Sequence, residues 1–99
     1  MPKPNIRLSN LAIEDLVQIE AYTARTWGDV QVKQYMQKLK TRFYWLGENP
    51  ALGKQRPELG KSVLSFPEEQ HVIYYRVTDT CLEVARILHK SMDVEAQGI

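Results

Sequence analysis

Two imidazoles, His71 and His89, are the side chains of this chain best suited to proton transfer near neutral pH. Ser65 and Ser91 lie near them in the sequence, but neither falls in a motif that marks a nucleophile. The two histidines and the single cysteine, Cys81, have no spacing that would form a zinc site. No glycine-rich run precedes a predicted helix, as a phosphate loop requires. The sequence therefore predicts no metal and no cofactor.

Paired carboxylates, which can act as a general acid and base, occur at Glu14-Asp15 and Glu68-Glu69. The first pair falls at a predicted helix start and the second in a predicted hairpin loop, so we expect both pairs to be solvated. Glu83 is an isolated carboxylate on a predicted strand, which favours an edge or partner-facing position.

The cations are unevenly distributed, although the net charge is only +1. That small total argues against strong non-specific binding of nucleic acid. Residues 30–61 carry seven of the cations: Lys33, Lys38, Lys40, Arg42, Lys54, Arg56 and Lys61. We expect Lys33, Lys38 and Lys40 to form a solvated helix face. Lys54, Arg56 and Lys61 are the better candidates for a basic surface that meets an acidic protein partner.

Two amphipathic helices are predicted in the first half, after a short strand at residues 5–8. Ser9 or Asn10 can cap the first helix, and Gly28 can end it. Each helix has one apolar stripe, formed in the first by Ala12, Leu16, Ile19 and Tyr22, and in the second by Val32, Tyr35, Met36, Leu39, Phe43 and Leu46. The short connection predicts an antiparallel helical hairpin.

The second half predicts strands. Asn49-Pro50 ends the second helix, and residues 50–60 form a loop. Strands are predicted at residues 61–66 (ended by Pro67), 71–77 and 81–88, with a turn at residues 78–80. On the last strand the alternation places Leu82, Val84 and Leu88 on one face and Ala85 and Ile87 on the other. Cys81 is predicted to be a buried structural thiol of that strand.

This order predicts an α+β fold in which an N-terminal strand and a helical hairpin pack on a small, mainly antiparallel twisted sheet. Residues 1–99 fit one domain, with residues 92–99 a flexible or partner-ordered tail. We find no run long and apolar enough for a membrane span and no secretory signal. The lone cysteine suits a reducing compartment, so the expected location is the cytoplasm.

The chain resembles ParE-type toxins of the RelE/ParE superfamily of type II toxin–antitoxin systems. The resemblance runs from Leu8-Ser9 to Met92-Asp93 and depends on the joint order of several fragments: Asn49-Pro50, Gly53, Arg56, Glu58-Leu59-Gly60, Ser65-Phe66-Pro67, His71-Val72-Ile73-Tyr74-Tyr75-Arg76 and Arg86-Ile87-Leu88-His89. It implies a toxin that traps a cleaved complex of DNA gyrase with DNA. It also implies a hetero-oligomer with a ParD-like antitoxin, through which alone the toxin would meet operator DNA.

RelE relatives instead cut messenger RNA on the ribosome. In those nucleases an arginine usually takes the place of Val72, lysines those of Val63 and Ser65, and a tyrosine that of Lys90. Valine can neither bind phosphate nor move a proton, so the resemblance implies a binding toxin that is not an enzyme and has no catalytic residue. His89 matches a histidine of some nucleases, which leaves open a ribonuclease that uses His89 with Arg76 or Arg86. An inactive toxin that acts only as antitoxin partner and co-repressor is a third possibility.

Arg76 and Arg86 could form salt bridges across the sheet, to Glu83, Glu69 or Asp79, or could pair with antitoxin carboxylates. Many ParE chains also carry an arginine where this chain has Leu64, which predicts a partner affinity that differs from the family norm. The predicted partner-binding residues, for antitoxin or gyrase, are Lys54, Arg56, Lys61, Arg76, Arg86, His89 and Lys90.

Overall fold

Two long helices precede four of the five strands in the computed structural model, which describes residues 4–99. The elements are β1 (Ile6–Leu8), α1 (Asn10–Trp27), α2 (Asp29–Glu48), β2 (Lys54–Gln55), β3 (Leu64–Glu68), β4 (His71–Val77), β5 (Leu82–His89) and α3 (Val94–Gln97). Two short 3₁₀ turns, Pro50–Leu52 and Pro57–Leu59, flank β2.

The five strands form one sheet in the order β1-β5-β4-β3-β2. Only β1 runs parallel to its neighbour, β5, and the other pairs are antiparallel. Gly28, at a positive φ of 88°, lies between α1 and α2, so the two helices form a tight hairpin. The predicted α+β fold and helical hairpin are confirmed.

The start of α1 completes the hydrogen bonding of β5. β1 pairs with β5 only as far as Leu8 opposite Val84. Beyond that point the Ser9 hydroxyl donates to the carbonyl of Ala85 (2.7 Å), and the Asp15 carboxylate accepts from the N–H of Ile87 (3.0 Å). The Ser9 hydroxyl also caps α1, because it accepts from the N–H of Ala12. Local capping and long-range packing therefore use the same few residues.

The main core lies between the helical hairpin and one face of the sheet. Its buried members are Ala12, Ile19, Leu39, Phe43, Leu46, Ile73, Tyr75, Leu82, Val84 and Ile87. The opposite face, which we call the outer face, carries a smaller apolar cluster of Tyr74, Leu88 and Val94, with Leu59, Val72 and Ile99 at its margin.

A β-bulge corrects the predicted faces of β5. Tyr74 lies opposite Arg86, but Tyr75 lies opposite Val84, so Ala85 is the extra residue. The bulge shifts the alternation by one position. Ile87 therefore joins Leu82 and Val84 in the main core, whereas Leu88 packs on the outer face. Simple alternation along the sequence had placed Leu88 and Ile87 on the wrong faces.

Several local predictions were also wrong. Tyr22 of the predicted buried stripe is 57% exposed, because the buried line of α1 continues through Asp15 and Thr23. The third strand begins at Leu64, since residues 61–63 form a turn in which Ser62 has a φ of 63°.

Pro67 does not end β3 but lies within it. β2 pairs only with Leu64 and Ser65, so Pro67 falls on a free sheet edge, where its missing N–H breaks no ladder. Cys81 lies before β5 rather than in it, and it is only partly buried, beside the Thr78 hydroxyl.

No helix of residues 4–99 is long and apolar enough to cross a membrane. At the C-terminus Val94 is buried against the outer face, and the Asp93 carboxylate accepts from the N–H of Glu95 at the start of α3. The expectation of a tail that is flexible or ordered by a partner stays a prediction.

Candidate partner-binding surface

The outer face carries a row of polar side chains that runs across four strands. Lys54 on β2 lies opposite Ser65 on β3, which lies opposite Tyr74 on β4, which lies opposite Arg86 on β5. Directly opposed residues share a face of the sheet. Two of the predicted partner-binding residues, Lys54 and Arg86, therefore lie on the same face of the sheet, where Lys54 is exposed and Arg86 is buried.

Arg56 lies over the middle of this row. Its guanidinium carbon is 5.5 Å from the centre of the Tyr74 ring, and its Nη1 donates to the Ser65 hydroxyl (3.3 Å). Its Nε donates to the Glu58 carboxylate (2.9 Å), which raises the pKa of Arg56 and lowers that of Glu58. The aromatic ring and the buried Ser65 together fix the plane of the guanidinium.

Arg76 and Lys61 add positive charge near Arg56. The Arg76 Nη2 lies beside Gly60, which follows the turn that contains Glu58. Arg76 forms no ion pair with Glu83, Glu69 or Asp79 in the part of the chain that the structure describes, and Glu83 instead lies 4.0 Å from Arg7. The predicted cross-sheet bridge of Arg76 is therefore not formed. Lys54 and Lys61 are both exposed.

Arg86 is engaged within the chain. Its Nε and Nη2 donate to the two oxygens of Asp15 (2.8 and 3.0 Å), and its Nη1 donates to the carbonyls of Gln97 and Gly98 (both 2.9 Å). Both side chains of the ion pair are buried, and the hydrogen bond to Asp15 raises the pKa of Arg86. The predicted bridges of Arg86 to Glu83, Glu69 or Asp79 are wrong, and so is the expected solvation of Asp15.

The second carboxylate pair is also only partly solvated. Glu68 is largely buried and accepts from the Nε of Arg42 (2.8 Å), whose guanidinium lies over the rings of Trp45 and Phe66. Glu69 remains exposed and accepts from Lys38. The Arg42–Glu68 pair fastens α2 to the β3–β4 turn, which is a structural role.

His71 and His89 meet edge to face, with ring centres 5.6 Å apart. The Tyr35 hydroxyl lies 3.0 Å from the carbonyl of Glu68 and 2.6 Å from His71 Nδ1. When the hydroxyl donates to the carbonyl, it accepts from His71 Nδ1–H. The Nε2 of His71 is then a proton acceptor. His89 Nδ1 accepts from the N–H of Ser91 (3.1 Å), so the neutral ring carries its proton on Nε2.

The two imidazoles open into solvent. Neither Nε2 atom has a hydrogen-bond partner in residues 4–99, and no buried side-chain polar atom of this range lacks one, so both atoms must be accessible. His71 and His89 line two adjoining clefts of about 690 and 520 Å³, together with Tyr22 of α1. Burial, followed by the nearby His89, lowers the pKa of His71. A proton acceptor and a proton donor thus stand side by side in a cleft.

The predicted site residues therefore fall into two groups. Lys54, Arg56, Lys61 and Arg76 gather on or beside the outer face, whereas His89 lies at the cleft and Lys90 is exposed just beyond β5. Tyr35 and Asp15 were missed as partners of His71 and Arg86. The helical spacing of apolar residues in α2 identified Tyr35 only as a core residue. No residue near Asp15 in the sequence indicated a partner arginine 71 residues away.

The sequence matches the family model described as ParE toxin of type II toxin-antitoxin system, parDE, over residues 6–94. The chain belongs to the ParE toxin family. A Toxin ParE1 of Caulobacter vibrioides is 32% identical over 90 residues, covering 91% of this chain and 93% of that protein. A Toxin ParE1 of Mycobacterium tuberculosis is 32% identical over 89 residues, covering 89% and 91%.

Solved structures share the fold of this ParE-family chain. The chromosomal ParDE toxin–antitoxin system from P. aeruginosa contains a chain with a TM-score of 0.74 and 18% identity, matching 88% of this chain and 96% of that one. The RelBE2 toxin–antitoxin complex from M. tuberculosis gives a TM-score of 0.59 at 20% identity, matching 90% of this chain and 100% of that one. The fold is thus common to ParE-type and RelE-type toxins and does not by itself separate their activities.

Proposed function

We propose that this ParE-family toxin acts by binding DNA gyrase and trapping a cleaved gyrase–DNA complex, and that a ParD-like antitoxin neutralises it. This activity places the chain in the cytoplasm, in a hetero-oligomer with its antitoxin. Contact with operator DNA is then indirect, through the antitoxin. Residues 1–99 act as one toxin domain, and residues 92–99 form a tail that is flexible or ordered by the antitoxin.

The observation that carries this proposal is the environment of Val72. It packs at the margin of the apolar cluster of Tyr74, Leu88 and Val94, at the position where the resemblance places a nuclease arginine. Arg86, the nearest cation of β5, is held by Asp15 and by the C-terminal carbonyls. Around Val72 the outer face is therefore better suited to packing against a protein than to stabilising negative charge on a phosphate in a transition state.

The proposal is tested with purified chain in gyrase supercoiling and cleavage assays, with and without the antitoxin encoded beside it. We expect loss of supercoiling, accumulation of cleaved DNA, and reversal of both by the antitoxin. Normal supercoiling at every toxin concentration, under conditions where the chain arrests growth, would show that the target is a different one.

A second candidate, a ribosome-dependent endoribonuclease, is favoured by one observation. The acceptor Nε2 of His71 could take the proton of an attacking RNA 2′-hydroxyl, and the donor Nε2–H of His89 could protonate the departing 5′-oxygen as the P–O bond breaks. His71, rather than Arg86, would then be the partner of His89. Cleavage of messenger RNA on purified ribosomes, lost in both His71→Gln and His89→Gln but retained in Ser65→Ala, would favour this activity over gyrase inhibition.

A further inference from the structure

We propose that Arg56 is the carboxylate-binding centre of the outer face, and that Glu58 of the same chain occupies it until an acidic segment of a partner protein takes its place. The inference rests on the proposed function, in which that partner is the antitoxin, and adds a specific receptor and an internal competitor to it.

The guanidinium of Arg56 is held ready for a ligand. Its central carbon lies 5.5 Å from the centre of the Tyr74 ring, and Ser65, which is itself buried, accepts from Nη1. A guanidinium whose plane is already fixed loses less side-chain entropy when a carboxylate binds to it. The contacts with Tyr74 and Ser65 distinguish Arg56 from an ordinary surface arginine, whose ion pairs add little to the free energy of binding or folding.

Glu58 fills this receptor incompletely. It accepts from Nε alone, through a single bond of 2.9 Å. A carboxylate that takes two parallel N–H bonds from one guanidinium pairs more strongly than one that takes a single bond. The Glu58 side chain is half exposed, so it can turn toward water at little cost. A carboxylate from outside can therefore make the better pair.

The surrounding charge indicates an acidic peptide. Arg76 Nη2 lies beside Gly60, which Lys61 follows in the chain, and Glu58 is the only carboxylate of residues 54–61. Lys54 contributes to the lowered pKa of Glu58, so the local field favours negative charge. The ligand that the chain itself places on Arg56 is a carboxylate, and the adjoining surface, through Leu59 and Tyr74, is apolar. Both features favour a peptide over a nucleic-acid backbone.

The test compares two variants that remove one negative charge each. Glu58→Gln frees Arg56, whereas Glu20→Gln removes an exposed carboxylate of α1. Binding of acetylated, amidated hexaglutamate to the full chain is followed by NMR, including the Arg56 side-chain N–H signals. We expect Glu58→Gln to tighten binding roughly three- to tenfold, and Glu20→Gln to change it by less than about twofold. The gain should disappear in the double variant Glu58→Gln/Arg56→Gln.

Equal effects of Glu58→Gln and Glu20→Gln would overturn the inference, since only net charge would then matter. A gain that survives Arg56→Gln would overturn it as well. The Glu58→Gln variant is also tested with a single-stranded DNA that carries the same charge as hexaglutamate. If the variant binds this DNA more tightly than it binds hexaglutamate, the site is one for phosphate instead. The gyrase assay does not enter this measurement. Gyrase inhibition without a gain in Glu58→Gln contradicts this inference alone, and a gain without gyrase inhibition contradicts only the proposed target.

Discussion

Arg86 and Arg56 both pair with a carboxylate of their own chain, yet the two pairs have opposite characters. The side chains of Arg86 and Asp15 are 8% and 9% exposed and meet through two parallel bonds. Those of Arg56 and Glu58 are 21% and 48% exposed and meet through one. In the first pair all three nitrogens of the arginine donate, and four of its five N–H groups have partners, because Nη1 also binds two carbonyls. An arginine whose hydrogen-bond donors are nearly all used within the chain forms a structural ion pair. An arginine that makes fewer bonds can exchange its carboxylate for one from a partner.

The largest effect is expected from breaking the buried pair. Asp15→Ala should lower the free energy of unfolding by about 3–5 kcal/mol, because it leaves a buried guanidinium without its charge partner. It also removes the acceptor of the Ile87 N–H. Urea denaturation measures the change, with Glu14→Ala, the exposed neighbour, as a control that should stay within about 0.5 kcal/mol. A loss below about 1 kcal/mol in Asp15→Ala would remove the distinction between the two pairs.

The backbone around Arg56 should be rigid even though its ion pair is exchangeable. A Cβ on Gly53 would clash with the Tyr75 hydroxyl, which donates to the carbonyl of Pro50 (2.8 Å) in the turn before β2. Gly53→Ala should therefore cost about 1–3 kcal/mol of unfolding free energy. Tyr75→Phe removes the nearest clashing atom and leaves only ring carbons at 2.8 and 2.9 Å, so the double variant should be less destabilised than the sum of the single ones. Additive losses would mean that the turn moves freely.

The parts of the fold that the sequence predicted are those set by local patterns. Apolar spacing located both helices, Gly28 located their junction, and β-branched runs located β4 and β5. The bulge at Ala85 was not predicted, because a shift in register depends on the partner strand and cannot be read from the alternation of apolar residues along one strand. Asp15 was predicted to be solvated because a carboxylate is favoured near the positive N-terminal end of a helix. That local reason needs no distant arginine as a partner. The basic residues were found by composition, but their common face required the sheet register.

Mild acid should act on a third region, the imidazole pair. Burial and His89 lower the pKa of His71, so the unfolded chain binds a proton at higher pH than the folded one. This contribution to stability is fully present above the ordinary histidine pKa and is lost as pH falls through the lowered one. His71→Gln should flatten the dependence of unfolding free energy on pH below about 6.5. An NMR titration in which His71 takes up its proton above that pH would contradict the expected direction.

The smallest effect on stability is expected where the effect on binding is largest. Glu58→Gln should change the free energy of unfolding by no more than about 0.5 kcal/mol, because the pair is partly exposed and makes one bond. Arg56→Gln also removes the bond to the buried Ser65 and the contact with Tyr74, so it should cost about 1 kcal/mol. Thermal or urea denaturation measures this, with Lys40→Gln on the exposed side of α2 as the charge-matched control for Arg56→Gln. If either substitution cost as much as Asp15→Ala, Glu58 would be a structural partner of Arg56, and a visiting carboxylate would have to unfold the loop to replace it. A near-zero change in Glu58→Gln leaves Glu58 free to exchange, as a competitor for a partner's carboxylate must be.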